Sequence, residues 1–296
     1  MTSSQAYPYR VVDVFTERPL EGNALAVFPN SASLDEATMQ SIARELNLSE
    51  TVFVLPATRP DFAARLRIFT PTREMDFAGH PTIGASFVVL DEGMTPHDHV
   101  NFVLEENIGP VPIRVEHGKR PLIWLTTPRI EDGPTLERTL CAGALGLAAG
   151  DLLDVAPQLL SAGNPTVLIP LKDRQAVDRA GLEMAGARRL KGGYPKPICV
   201  FVFTPTPDGA YSRMFAPEHG VMEDPATGSS TGPLAAYMIR HRLVSGAPGT
   251  RFVSEQGTKM GRRSILHVHI GGPDAIEVGG YVTPLVRAVM QLDREL

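Results

Sequence analysis

The sequence predicts an α+β fold of two similar halves, each a curved, mainly antiparallel sheet that wraps one apolar helix. Three observations lead to this prediction. Short motifs of the first half recur in the same order in the second, and many strand-length apolar segments are separated by turns. In addition, the segments 81–90 and 232–243 are apolar on nearly every side. A helix of that kind has to be buried, so each half must enclose its own.

Three motifs of the first half are followed by close copies 141, 146 and 150 residues later. The pairs are Gly22-Asn23 with Gly163-Asn164, 67–71 with 213–217, and 102–105 with 252–255. An offset that grows slowly is what small insertions produce, and a period of this length indicates a duplicated domain rather than a solenoid. We therefore predict domains at 1–128 and 129–281, with a C-terminal strand at about 282–296 completing the first.

Alternating or short apolar segments predict the strands, and apolar residues at helical spacing predict the helices. In the first half the predicted strands are 10–15, 24–28, 51–55, 62–69, 100–105, 111–116 and 122–126, and the predicted helices are 34–46 and 81–90. In the second half the predicted strands are 166–170, 198–204, 210–215, 251–255, 264–270 and 276–279, and the predicted helices are 175–190 and 232–243. The segment 128–151 is predicted to connect the halves, with a helix near 140–149.

Composition excludes several classes of function. The net charge is −5 and no basic run occurs, which argues against nucleic acid or an anionic membrane surface as a partner. No stretch approaches the ~18 apolar residues of a membrane span, and residues 1–5 lack the pattern of a signal peptide. Cys141 and Cys199 lie in apolar surroundings, as buried thiols of a reducing compartment do. We expect a cytoplasmic protein.

Glu50 is the first candidate catalytic residue, because it stands between a predicted helix and an apolar strand. A carboxyl group at the edge of an apolar wall is expected to have a raised pKa, which suits a general acid/base near neutral pH. The alternative is a solvent-exposed glutamate at a strand edge.

His80 is the second candidate, because the sequence Gly79-His80-Pro81 opens the first buried helix. Proline fits the first helical turn, where its missing N–H costs nothing. The free N–H groups there favour an anion and disfavour protonation of the imidazole, so His80 is expected to be neutral. A capping histidine without a substrate is the alternative.

Asp224 is the third candidate, since it precedes the second apolar helix. In the repeat it is expected to fall beside Gly79-His80, although an aspartate before a proline is also an ordinary N-cap. Gly228, Ser229 and Ser230 offer small side chains and backbone N–H groups suited to a carboxylate. The Gly-Lys-Ser/Thr ending of a phosphate-binding loop is absent.

Other motifs predict less. The triplet 97–99 and the pair His267 and His269 have the spacing of metal ligands, but neither has a convincing third ligand nearby, so no metal site is predicted. No Gly-x-Ser-x-Gly or Gly-x-Gly-x-x-Gly pattern occurs, which argues against a serine hydrolase and a dinucleotide-binding enzyme.

These motifs together resemble the phenazine-biosynthesis isomerases of the PhzF-like family, within the diaminopimelate epimerase superfamily. The resemblance covers nearly the whole chain. Its segments include Asn47-Leu48-Ser49-Glu50, 67–71, 77–81, 213–215, 223–229, Gly232-Pro233-Leu234-Ala235, Gln256-Gly257 and Met260-Gly261-Arg262.

The resemblance implies two pseudo-symmetric β-barrels, each around a central helix, with the active site between them, and a homodimer that needs no cofactor. It implies that Glu50 moves a proton on the ring of a small cyclic amino-carboxylate such as trans-2,3-dihydro-3-hydroxyanthranilate, with His80 and Asp224 assisting. The residues that it implies for substrate binding are Ser49, Gly79, Gly228 and Ser229.

Two alternatives remain beside this interpretation. An epimerase or racemase of the superfamily would act on another small carboxylate, but it would use a cysteine at each helix opening, and both cysteines of this chain are distant from those motifs in sequence. A non-catalytic small-molecule binding protein would also use a cleft with anion-binding helix ends.

Overall fold

The computed structural model describes residues 5–95, 100–272 and 275–292, which divide into two compact units. Unit 1 contains the described residues of 1–126 and 279–296, and unit 2 contains those of 127–278. The predicted domains, 1–128 and 129–281, describe the extent of the duplicated sequence, and they remain a prediction. The triplet 97–99 lies outside the described residues.

Unit 1 contains eight strands before residue 127, a ninth at the C-terminal end of the chain, and two helices among its described residues. The strands are β1 (Gln5–Val14), β2 (Asn23–Phe28), β3 (Glu50–Leu55), β4 (Ala64–Phe69), β5 (Glu74–Met75), β6 (Asn101–Glu106), β7 (Gly109–Glu116), β8 (Leu122–Thr126) and β18 (Val282–Leu292), and the helices are α1 (Glu36–Leu46) and α2 (Gly79–Asp91).

Unit 2 has the same kind of order. Its strands are β9 (Glu131–Thr135), β10 (Gln158–Ser161), β11 (Pro165–Pro170), β12 (Cys199–Thr206), β13 (Gly209–Ala216), β14 (Val221–Asp224), β15 (Arg251–Gln256), β16 (Ser264–Gly272) and β17 (Ala275–Gly280), and its helices are α3 (Arg138–Ala144), α4 (Arg174–Arg179), α5 (Met184–Lys191) and α6 (Gly228–Arg240).

The strand pairings repeat from one unit to the other. In unit 1, β1–β2 is antiparallel, β2–β3 parallel, β3–β4 antiparallel, β4–β6 parallel and β6–β7 antiparallel. In unit 2, the same alternation runs through β10–β11, β11–β12, β12–β13, β13–β15 and β15–β16. The C-terminal strand β18 pairs with β1. Each unit is therefore a mainly antiparallel sheet with two parallel pairings at matching places.

Each sheet is covered on both faces, which explains why its strands are almost continuously apolar. In unit 2 the side chains of β12 alternate: Val200 and Val202 pack with α3, α4 and α5, whereas Phe201 and Phe203 pack with α6. In unit 1 the outer layer is α1, which packs over Phe28, Phe53 and Phe69.

The helix α2 is enclosed by the sheet of unit 1, as its sequence predicts, and ten of its thirteen residues are buried. Gly84 allows this close packing, because a Cβ atom there would lie 2.5 Å from Leu25 Cδ2 and 2.8 Å from Val14 Cγ2. The chain of unit 1 therefore wraps the helix at a distance that only glycine permits at this position.

Two predicted elements are wrong in extent. The single helix predicted at 175–190 is two helices, α4 and α5, because Arg213 Nη1 donates to the carbonyl oxygens of Val177, Asp178 and Ala180 and ends α4 there. The connector contains the strand β9, and its helix ends at Ala144 rather than near 149. Within the described residues, no helix has the length and apolar character that crossing a membrane requires.

Candidate active site

Three polar side chains of unit 1 meet where two strands and a helix begin. Asn23 is the first residue of β2, Glu50 is the first residue of β3, and His80 is the second residue of α2. The strands β2 and β3 are parallel, with Glu50 opposite Leu25, so both start at the same edge of the sheet. The topology therefore brings together residues that are 27 to 57 positions apart in sequence.

The geometry of this group orients the imidazole. His80 Nε2 lies 3.5 Å from Glu50 Oε2, and Asn23 Nδ2 lies 3.4 Å from His80 Nδ1. An amide nitrogen can only donate, so Nδ1 is the acceptor and the imidazole proton is on Nε2, facing Glu50. The side chains of His80 and Glu50 are 5% and 17% exposed, so the pair is largely removed from water.

His80 is neutral in this environment. Burial lowers its pKa to about 3, because desolvation disfavours the imidazolium form. Burial therefore favours the neutral imidazole that is expected from the sequence. A neutral imidazole directs its Nε2–H towards Glu50, at a distance of 3.5 Å, without bringing a charge next to the carboxyl group.

A tight turn places Asn23. Gly22 has φ +69°, and a Cβ atom there would lie 2.3 Å from Val14 O. In the loop just before it, the carboxylate of Asp13 accepts a hydrogen bond from Leu20 N (2.7 Å). The sequence was interpreted only as containing Gly22-Asn23 as a repeated motif, so the contact between Asn23 and His80 was missed. The signal for it was the recurrence of the pair as Gly163-Asn164.

A short loop places Ser49 and Glu50. The helix α1 ends at Leu46, and Asn47 adopts the left-handed conformation with its N–H bonded to Ala43 O. The chain enters β3 at Glu50 within three further residues, and Ser49 is half-buried there. Ser49 and Gly79, the first residue of α2, thus flank the group formed by Asn23, Glu50 and His80 along the chain.

Unit 2 has a related arrangement where α6 begins. Asn164 Nδ2 donates to Ser229 Oγ (3.2 Å), and the hydroxyls of Thr166 and Ser230 are 2.9 Å apart. Gly228 is the first residue of α6, so Ser229 is its second residue, as His80 is in α2. The prediction that Asp224 falls beside the position of His80 is therefore wrong by this measure, because Ser229 holds that place.

Asp224 has another role in the structure than the N-cap that its sequence context allowed. It ends β14, and Thr227 is the N-cap residue of α6. Asp224 Oδ2 accepts from Thr227 Oγ1 (2.5 Å), while Gln256 Nε2 donates to Asp224 O (2.7 Å) and to Thr227 Oγ1 (3.0 Å). Gln256, which the sequence pointed to only through the resemblance, fixes the segment that carries Asp224.

The two cysteines occupy different environments. Cys141 is in α3, and burial, followed by the charge of Glu137, raises the pKa of its thiol to about 12. Cys199 begins β12 opposite Thr166, whose hydroxyl contacts Ser230 at the start of α6. Cys199 is therefore one strand away from a helix opening, closer than its distance in sequence suggested.

The histidine pair of the sequence, His267 and His269, lies on β16. His269 Nδ1 lies 2.6 Å from Glu277 Oε2, which gives His269 an acidic partner. Over residues 5–95, 100–272 and 275–292, no group of three or more His, Cys, Asp and Glu side chains could hold a metal ion.

Comparison with known proteins identifies the family. The pattern of the phenazine biosynthesis-like proteins, PhzC-PhzF, matches residues 12–287. The chain belongs to this family. An uncharacterized isomerase of Mesorhizobium japonicum is 36% identical over 292 residues, covering 94% of this chain and 96% of the relative. The trans-2,3-dihydro-3-hydroxyanthranilate isomerase of Pseudomonas aeruginosa is 34% identical over 279 residues, covering 92% and 95%.

A solved PhzF-family structure agrees with the fold. The phenazine biosynthesis protein of Bacillus anthracis has a TM-score of 0.88 and 23% identity to this chain, and the match covers 97% of this chain and 100% of that one. The predicted α+β fold class is confirmed, and the protein is an isomerase of the PhzF family.

Proposed function

We propose that this PhzF-family isomerase moves a proton on a small cyclic amino-carboxylate such as trans-2,3-dihydro-3-hydroxyanthranilate, with Glu50 as the general acid/base. The observation that carries the proposal is the contact between Glu50 and the neutral His80. A carboxyl group that is partly withdrawn from water and faced by an oriented N–H donor is suited to accept and return a proton.

The proposed reaction starts with the carboxylate of Glu50 taking a proton from a ring carbon. The electron pair of the broken C–H bond delocalises into the conjugated diene, and Glu50 returns the proton to another carbon. Nothing is oxidised or reduced, so no cofactor is needed. In this proposal the Nε2–H of His80, 3.5 Å from Glu50 in this structure, approaches the carboxylate during the reaction, while Asn23 holds the opposite ring nitrogen.

The remaining roles follow the family resemblance. We propose that Asp224 assists the proton transfer and that Ser49, Gly79, Gly228 and Ser229 bind the substrate. Gly79 and Gly228 are the first residues of α2 and α6, where unpaired backbone N–H groups favour a carboxylate.

The substrate is tested by proton NMR of the protein with trans-2,3-dihydro-3-hydroxyanthranilate. Disappearance of the ring C–H signal with formation of the isomer supports the proposal. If this compound is unchanged but another compound from a panel of small carboxylates is turned over, the proposed substrate is wrong and the proposed mechanism applies to the other compound. Saturable binding of the compound without turnover of it or of any panel member would contradict the catalytic proposal.

We also propose that the protein works as a cytoplasmic homodimer, as the resemblance implies. Leu285, Val286 and Val289 on β18 are 37%, 41% and 55% exposed, and a second copy that packed against this strand would cover apolar side chains. Light scattering should give twice the mass of 32.0 kDa, and Val289→Lys should shift the protein towards the monomer.

A further inference from the structure

Glu106 is a buried carboxyl group that the proposed reaction does not use. It is the last residue of β6, only 4% exposed, and its Oε1 lies 2.6 Å from Thr82 Oγ1. Its Oε2 has no hydrogen-bond partner among the described residues. Thr82 is in the first turns of α2, two residues after His80.

The hydrogen bonds around Thr82 require a proton from Glu106. The hydroxyl of Thr82 also lies 2.7 Å from the carbonyl oxygen of Ala78. A hydroxyl has one proton, and a carbonyl oxygen can only accept. If Thr82 donates to Ala78, the short contact with Glu106 is a hydrogen bond only when the carboxyl group is protonated and donates to Thr82 Oγ1.

The corresponding threonine of unit 2 shows which acceptor a hydroxyl at the position of Thr82 donates to. Thr231 is the fourth residue of α6, as Thr82 is of α2, and its Oγ1 donates to Thr227 O (3.0 Å). The last residue of β15, which has the place of β6, is Gln256, a neutral side chain that also contacts the start of the helix through Thr227. The second unit thus has a permanently uncharged group where the first has Glu106.

We propose that Glu106 is a neutral carboxylic acid at neutral pH, and that its O–H bond to Thr82 fixes the first turn of α2, making Glu106 a positioning residue for His80. Ionisation would remove this donor, and the single proton of the Thr82 hydroxyl would then turn from Ala78 O to the carboxylate. The first turn of α2, and His80 with it, would then lose its fixed place.

The surroundings favour the neutral acid. Burial raises the pKa of Glu106 to about 8, because desolvation disfavours the carboxylate. The neighbouring charged residues have other partners or lie on another face. Glu105 is on the opposite face of β6, and Arg65 of β4 is opposite Glu105 in the strand pairing. Glu74 accepts a hydrogen bond from Asn107, the residue after Glu106. On α2 His80 is neutral, and across the hairpin Glu106 faces Gly109, which has no side chain.

The sign of the pH effect follows from the raised pKa. The pKa of Glu106 is about 8 in the folded protein, above its ordinary value of 4.5. The contribution of the neutral acid to stability is therefore fully present below about pH 4.5 and is lost as the pH rises through about 8.

The test is a titration followed by NMR with ¹³C-labelled glutamate and ¹⁵N-labelled histidine. Glu106 Cδ should titrate near pH 8, and the Nε2 resonance of His80 should shift with the same midpoint. Glu106→Gln keeps a neutral donor, so this step in the His80 resonance should disappear. Glu105→Gln removes a carboxylate one residue away, and the step should remain.

The NMR titrations and the urea midpoints do not involve the substrate, so their outcome is independent of whether the proposed function is correct. The midpoint of urea denaturation should decrease between pH 6 and 9 in the wild type and in Glu105→Gln, and much less in Glu106→Gln. Titration of Glu106 near 4.5 would overturn the neutral acid. Titration near 8 without a response of His80 would overturn its positioning role.

Discussion

The two units share the same arrangement of strands and central helix, and they differ more in the reactive side chains at matching positions. In both, an asparagine contacts the second residue of the central helix: Asn23, the first residue of β2, contacts His80, and Asn164, the residue before β11, contacts Ser229. In both, a threonine at the fourth helical position is hydrogen-bonded to the carbonyl of the N-cap residue. These contacts belong to the duplicated frame.

The groups that can exchange protons differ at matching places. Glu50 is opposite the residue two positions after Asn23, and Cys199 is opposite the residue two positions after Asn164. Unit 1 therefore has a carboxyl group and an imidazole where unit 2 has a thiol and a hydroxyl. The comparison shows that the two helix openings share a backbone arrangement and differ in the titratable side chains that they carry.

The largest effect is expected from Glu50→Gln, which removes the proton carrier and preserves the shape of the side chain. We expect turnover to decrease by about 10²–10⁴-fold, the usual contribution of general acid/base catalysis. Steady-state rates measure it. The matched control in unit 2 is Cys199→Ser, which should keep turnover within about threefold, since a conservative buried change away from the chemistry costs little. Equal losses in both variants would refute the comparison and favour a thiol mechanism.

Gly84→Ala tests how closely the sheet of unit 1 approaches its helix. The new Cβ would meet Leu25 and Val14, so we expect a loss of about 1–3 kcal/mol in the free energy of unfolding. Urea denaturation measures the loss. The control is Gly143→Ala in α3, where a Cβ would meet no atom within 4 Å and helix propensity predicts a gain of about 0.5–1 kcal/mol. A neutral result at Gly84 would show that α2 is packed more loosely than the structure indicates.

The variants Asn23→Ala and Asn164→Ala test whether the two asparagines have different kinetic roles. Loss of the bond to His80 should lower kcat about fivefold, since a hydrogen bond contributes about 1 kcal/mol. Loss of the bond to Ser229 should instead raise KM, because Ser229 is a proposed binding residue. The check is the full dependence of rate on substrate concentration. Similar changes of kcat in both variants would contradict different tasks for the two asparagines.

The smallest effect at neutral pH concerns the titration of His80. Its pKa is lowered by burial from 6.5 to about 3, so the stability it supports is present above pH 6.5 and is lost as the pH falls towards 3. NMR of the imidazole should show Nε2–H and neutral His80 at every pH from 5 to 9. The decline in urea midpoint between pH 6.5 and 4 should be smaller in His80→Gln. An imidazolium form at pH 6 would contradict the assignment of His80 as a neutral donor.

Local sequence patterns predicted those helices and strands whose formation depends on residues close together in the sequence. The apolar run after Gly79 predicted α2, and the short apolar segment after Glu50 predicted β3. The approach of Glu50 to Asn23 depends on the parallel pairing of β2 with β3, which joins residues far apart in sequence and leaves no local pattern. The division of the helix predicted at 175–190 has the same origin, because the side chain that ends α4, Arg213, comes from another element.

The sequence identified candidate residues at element boundaries more readily than the contacts between them. Glu50 and His80 were selected from their places at element boundaries, and the structure brings them into contact. The repeat predicts Asp224 beside the position of His80, but Ser229 is the residue with the matching place in α6. Glu106 could not be predicted, because a glutamate in an alternating strand looks the same whether its partner is water or Thr82.

The central claim is that Glu50 in unit 1 carries the proton. The most direct measurement is the incorporation of solvent deuterium into product in D2O by the wild type, Glu50→Gln and Cys199→Ser, with trans-2,3-dihydro-3-hydroxyanthranilate. The account predicts deuterated product from the wild type and from Cys199→Ser, and neither exchange nor isomerisation with Glu50→Gln. Deuterium incorporation by Glu50→Gln at the rate of the wild type would contradict it.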